Sequence, residues 1–204
     1  SAVSRYRGLM PKLVDHDERR RAIAAATWRL IAAKGIDAAN MRDIATEAGY
    51  TNGALSHYFS GKDEILRTSF ELVFEATNAR IDARLRDAKG LAALRVFCRE
   101  VMPTTQETLL EARIALSLFQ RAMYDERMEE INRRALSLWR GQMARHLEDA
   151  RAMGEVGDID VAVVIEQLLS MMMGVQILGV LTPSESSAKT QLAMVDNFLT
   201  LLRS

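Results

Sequence analysis

Apolar side chains recur at three- and four-residue steps along almost the whole chain, the period of amphipathic helices rather than of strands. Ile23, Ala26, Thr27, Leu30 and Ile31 form one stripe, opened by Asp15 and Glu18 at capping-box spacing and closed by Gly35. Ile44, Ala45 and Ala48 mark a short helix from Arg42 to Ala48, with Asn40 and Asp43 repeating the capping pattern before it. Leu55 and Phe59 continue the rhythm on a second helix that starts at Thr51 and runs through Phe59. Ser60 and Asp63 then open a long helix, about 62–88, carrying Ile65, Leu66, Phe70, Val73, Phe74, Thr77, Ile81 and Leu85.

Beyond Gly90 the pattern predicts helices at about 91–101, 105–123, 125–153, 159–181 and 185–203. Pro103, Tyr124-Asp125, the run from Gly154 to Asp158 and Thr182-Pro183-Ser184 separate them. Residues 1–14 lack a helical period and carry Arg5, Arg7 and Lys12, which fits either a flexible tail or an arm that touches DNA. The expectation is an all-α protein: tail 1–14, a three-helix head 15–61, and a helical body 62–204.

The stretch 40–59 carries the most chemistry. Gly49 stands where a left-handed turn must link two helices, and Thr51 is a good N-cap for the second. Small Ala45 and Gly53 are expected to let the two helices cross closely. That is the grammar of a helix-turn-helix, in which one helix enters the major groove of double-stranded DNA. Affinity would come from phosphates and base identity from a few side chains. Thr51 and Asn52 lie at the start of the second helix, where free N–H groups favour phosphate, and Asn52 also suits an adenine edge. His57 follows near the same face, and Arg42 and Lys62 flank the motif with positive charge.

Composition agrees with this division. The chain is 49% apolar with only three prolines, and its 27 basic and 27 acidic residues cancel. Up to Lys62, ten Lys/Arg face six Asp/Glu, so a basic head joins an acidic body, as suits a DNA reader with a second task. Cys98 is the single cysteine and no N-terminal segment has a signal-peptide core, which predicts a cytoplasmic protein without disulfides. Val161–Leu181 is long and apolar, but Glu166, Gln167, Ser170 and Gln176 make it an expensive membrane span. A helix packed in a core and against a second subunit is expected there, with Gly174 and Gly179 permitting close approach.

The residues Ile44-Ala45, Ala48-Gly49, Thr51, Gly53, Leu55, Tyr58-Phe59 and Lys62 resemble the TetR family of bacterial repressors. Tyr50 replaces the usual small aliphatic residue and Ser56 the usual tyrosine. The ending Ser56-His57-Tyr58-Phe59 is similar to the choline-responsive repressors of betaine synthesis, as are Met10-Pro11-Lys12 and Arg19-Arg20-Arg21.

The resemblance implies DNA contacts from Asn40, Arg42, Thr51, Asn52, Gly53, Ser56, His57, Tyr58 and Lys62, with the Tyr58 hydroxyl on phosphate. It also implies a body that encloses a small-molecule effector and forms a homodimer through its last two helices. Soft and aromatic residues able to line such a cavity are Phe74, Phe97, Met102, Phe119, Met123, Trp139, Met143 and Met172. No cofactor or metal is expected, because His16, His57 and His146 lack partners at ligand spacing. Leu13, Ala54 and Met143 precede them by three, which excludes the Glu-x-x-His pairs of di-iron bundles. With neither a phosphate-binding glycine loop nor a nucleophile elbow, an enzyme is not expected. A helical scaffold without a recognition helix is the competing reading.

Overall fold

A computed structural model describes residues 10–36 and 39–203 of the chain. The described residues form nine α-helices: α1 (Met10–Lys34), α2 (Met41–Ala48), α3 (Asn52–Leu55), α4 (Lys62–Leu85), α5 (Gly90–Val101), α6 (Gln106–Ala122), α7 (Glu126–Ala152), α8 (Val161–Leu181) and α9 (Ala188–Leu201). They divide into two compact units between Val73 and Phe74, within α4.

Two boundaries differ from expectation. Helix α1 starts at Met10, not Asp15, so part of the expected tail is helical; residues 1–9 lie outside the described residues. Pro11 falls in the first turn, where its missing N–H costs nothing and its fixed φ suits a helix. The first unit also reaches past residue 61, because the opening turns of α4 complete its core. Ile65 and Leu66 are fully buried, Phe70 is buried, and the Ser69 hydroxyl donates to the Ala24 carbonyl at 3.0 Å.

Ile23, Leu30, Ile31, Ile44, Leu55 and Phe59 of the same unit are buried as well. Each such side chain contributes about 1.5–3 kcal/mol by leaving water.

In the second unit α5 packs on α7 and α9, α6 on α7 and α8, and α7 on α8. Phe97, Met102, Met143, Leu147, Leu168 and Met172 belong to one buried cluster. Cys98 is buried in it as a free thiol, and desolvation pushes its pKa up to about 12, so it stays protonated and unreactive.

Helix α5 starts without a side-chain cap from Lys89, its N-cap residue. Glu155, after α7, supplies the acceptor instead: its Oε2 receives the Leu91 N–H at 2.8 Å. Gly90 has φ +59°, and a Cβ there would lie against Glu155 Oε2 and 3.3 Å from Ala150 Cα.

Helix α8 is long and apolar enough to cross a membrane, and 39% of its most apolar window is buried within the chain. Gly179 faces Pro103 within the same chain, whereas nothing stands within 4 Å of a Cβ at Gly174.

Candidate nucleic-acid interface

The turn between α2 and α3 is set by local chemistry. Asn40 caps α2: its Oδ1 accepts the Asp43 N–H at 3.0 Å and its Nδ2 donates to Asp43 Oδ2 at 2.7 Å. Gly49 ends α2 at φ +74°, the left-handed conformation a side chain disfavours. Thr51 then caps α3 by accepting the Ala54 N–H at 3.2 Å.

The second helix is shorter than its apolar spacing predicts. Regular helix ends at Leu55 and turns continue to Tyr58. Ser56 provides the reason. Its hydroxyl donates to the Gly53 carbonyl at 2.7 Å, and His57 N–H donates one residue along, to Ala54 O at 3.3 Å. A side chain competing for a helix carbonyl tightens and ends the last turn. Gly53 also differs from expectation: it is exposed and a Cβ on it would meet nothing within 4 Å, so the close crossing does not rest on it. Ala45, which is buried, does face the core.

The motif sorts cleanly by exposure. Ile44, Ala45, Leu55 and Phe59 are buried, while Asn40, Arg42, Thr51, Asn52, Gly53, Ser56 and His57 are exposed on the surface. Tyr58 is half-buried. Lys62 is half-buried too, its Nζ donating to the Ile36 carbonyl at 3.4 Å.

Helix α1 braces this surface with residues that the apolar pattern alone does not single out. Arg20 donates to the Tyr58 carbonyl and to Glu64 Oε1 (2.7 Å), and its guanidinium lies 4.2 Å over the Phe59 ring. Glu64 in turn accepts the Ser60 N–H at 2.7 Å and the Ser60 hydroxyl at 2.8 Å. Ser60 therefore pairs with Glu64 rather than with the expected Asp63. The Ser60 N–H, with Arg20 adding to it, holds the Glu64 pKa down at about 2.

The Tyr58 ring lies beside those of His16 (5.1 Å) and Tyr50 (5.8 Å), and its hydroxyl accepts from Arg19 Nη1 at 3.2 Å. The signal in the sequence was the Arg19-Arg20-Arg21 run, of which Arg19 and Arg20 hold different partners.

In the second unit, some expected cavity residues meet and others do not. Trp139 lies 5.4 Å from the Phe74 ring and 5.6 Å from Phe97, edge-on to the latter, and its Nε1 donates to Asn78 Oδ1 at 3.2 Å. Phe97, Met102, Met143 and Met172 are buried in the core cluster against which Trp139 packs. Phe119 is half-buried and Met123 is 67% exposed at the C-cap of α6; neither belongs to that cluster.

Comparison with known proteins covers both units. Residues 23–68 match the model of bacterial regulatory proteins of the TetR family, and residues 90–203 match the C-terminal domain of BetI-type transcriptional repressors. The chain is 32% identical to the HTH-type transcriptional regulator PksA of Bacillus subtilis, over 85% of its own length and 84% of that protein. It is 26% identical to the HTH-type transcriptional regulator BetI of Burkholderia thailandensis, over 95% and 97% of the two chains. A transcriptional regulator from Saccharomonospora viridis, solved in complex with choline, shares the fold with a TM-score of 0.83 at 21% identity, over 90% and 96% of the two chains. The chain belongs to the TetR family of bacterial transcriptional regulators, DNA-binding proteins and not enzymes.

Proposed function

We propose that the chain is a ligand-responsive repressor that reads an inverted-repeat operator as a homodimer in the cytoplasm. The observation that carries this reading is the sorting of residues 40–59 into a buried apolar face and an exposed polar one. Asn52 and His57 are the candidate base readers. Arg42, Thr51, Tyr58 and Lys62 are the candidate phosphate ligands, with Asn40 and Ser56 shaping the flanks and Gly53 keeping the surface low for close backbone approach.

The second copy is assigned to the outer side of α8 and α9. Val163, Gln167, Ser170, Gly174, Leu178 and Leu181 follow three- and four-residue steps along α8, with Val163 51%, Leu178 54% and Leu181 71% exposed. Met194 and Leu201 extend the apolar surface on α9 at 41% and 63%. A seam of this length is what a second subunit buries. It also gives a soluble home to a helix with the hydropathy of a membrane span.

The effector reading rests on the BetI-type match and on the chemistry around Trp139. Phe74, Phe97 and Trp139 supply aromatic faces of the kind that bind quaternary ammonium groups, and choline is the first ligand to test. A ligand that prefers a splayed dimer weakens operator binding by a coupling of about 1–3 kcal/mol. Helix α4 runs unbroken from the motif into the sensor unit and is the candidate connection.

Selection of the purified protein on a random duplex pool tests the reading. Enrichment of an inverted repeat with half-sites about 34–36 Å apart, or a multiple of that, is the expected result. A folded dimer that retains no duplex would overturn it.

A further inference from the structure

The Arg19-Arg20-Arg21 run divides its labour, and the division assigns a new phosphate ligand to α1. Arg20 is consumed internally: with Phe59, Glu64 and the Tyr58 carbonyl it fixes the backbone on which Tyr58 stands. Arg19 is arranged differently. Its Nε donates to Asp15 Oδ1 at 2.9 Å and its Nη1 to the Tyr58 hydroxyl oxygen at 3.2 Å, while nearly half of its side chain remains exposed (48%).

Two anchored nitrogens leave the planar guanidinium little rotational freedom, and Nη2 remains as a donor. Because Arg19 donates to the Tyr58 oxygen, the tyrosine keeps its own proton to give away. Two donors, one of them charged, therefore stand side by side, on Arg19 and on the residue that follows the exposed His57.

We propose that Arg19 is a DNA-binding residue, which together with the Tyr58 hydroxyl holds one phosphate at the flank of the operator half-site. The assignment rests on the DNA-reading function proposed above. It places on α1 a contact that the helix-turn-helix alone does not supply, with Asp15 as the group that orients the guanidinium. A charged nitrogen donor on phosphate makes a stronger contact than a neutral one. It is indifferent to base sequence, so it contributes equally to operator and unrelated duplex.

The test uses the full-length protein and the duplex enriched by selection, with affinity measured against salt. Arg19→Gln is expected to weaken operator and unrelated duplex by the same factor, about tenfold, and to make the log–log salt slope shallower by about one per protomer. Arg19→Lys keeps the charge, so it should keep the slope while still losing several-fold in affinity, because an ammonium cannot donate to Asp15, Tyr58 and phosphate in the same planar arrangement. Tyr58→Phe removes a neutral donor and should leave the slope unchanged. The Arg19→Gln/Tyr58→Phe double variant should lose less than the product of the single losses, since both groups serve one phosphate.

Thermal unfolding of each variant separates a lost contact from a lost fold. If the unmodified protein enriches an inverted repeat while Arg19→Gln, folded, binds it with unchanged affinity and slope, the Arg19 assignment fails and the regulator reading stands. If the unmodified protein binds no duplex, the reading beneath it fails.

Discussion

Arg80 on α4 and Glu111 on α6 meet fork to fork, Nη1 to Oε1 at 2.8 Å and Nη2 to Oε2 at 2.6 Å. Glu100 accepts from the same guanidinium through its carboxylate (3.0 Å) and its backbone carbonyl (2.9 Å), so one side chain ties α4 to α5 and α6. Glu111 is 7% exposed and Arg80 15%, whereas Glu107, 3.6 Å away, is 64% exposed. Glu111→Gln should therefore lower stability by about 1–3 kcal/mol. Glu107→Gln should stay within about 0.5 kcal/mol. Urea unfolding of the two variants checks the contrast.

Glu64 makes the first unit sensitive to acid. Its pKa is held down at about 2 from an ordinary 4.5, chiefly by the Ser60 N–H. A carboxylate with a depressed folded pKa stabilises the protein above its unfolded value and loses that contribution as pH falls through the folded one. Stability should decline between about pH 4.5 and pH 2, by roughly 1–2 kcal/mol after allowing for partial solvent screening. Glu64→Gln should be less stable at pH 7 and should flatten that decline, as followed by circular dichroism.

Gly90 and Glu155 are coupled by contact. Gly90→Ala puts a side chain at φ +59° and against the carboxylate, which should cost at least about 1–2 kcal/mol. Glu155→Ala removes the acceptor for Leu91 N–H and should cost about 1 kcal/mol. The double variant should cost less than the sum, because removing Glu155 relieves the clash. Additive losses in denaturant unfolding would contradict the contact.

Gly53 offers a separation of fold from function. The position is exposed and open, so Gly53→Ala should leave stability unchanged or raise it by up to about 1 kcal/mol through helix propensity. Operator affinity should nevertheless fall, since the added methyl meets the approaching duplex. An affinity equal to the unmodified protein's, measured by fluorescence anisotropy, would show that the backbone does not come close at this point.

The seam on α8 can be tested by charge. Leu178→Glu with Leu181→Glu puts two carboxylates on side chains that are 54% and 71% exposed in the single chain. Sedimentation velocity should show a monomer that retains its helical content. A dimer of unchanged affinity would move the second-subunit face elsewhere.

Local chemistry was readable where one residue decides. Gly49, Thr51 and Asn40 act on neighbours within a few positions, and the structure places each cap and turn at the expected residue. Spacing could not choose between Asp63 and Glu64 as the partner of Ser60, because both lie within one helical turn. Pro11 hid the start of α1, since a proline reads as a breaker unless its place in the first turn is known. Ser56 shortened α3 through a hydroxyl that periodicity does not weigh. The clasp on Arg80 spans 20 and 31 positions in sequence and leaves no periodic trace at all. The exposed polar face of the motif was thus legible in its residues, while the α1 side chains that brace it were not.

The Glu155 cap also fixes an order of events during synthesis. The Leu91 N–H waits for an acceptor 64 positions downstream. At about 5–20 residues per second, several seconds pass before the ribosome delivers it. Until then the Leu91 N–H lacks the acceptor it has in the folded chain. The hydrogen bonds that brace the first unit, from Arg20 to Glu64, close within residues already outside by that time. The nascent chain thus holds every part of its first unit before the start of α5 can be capped.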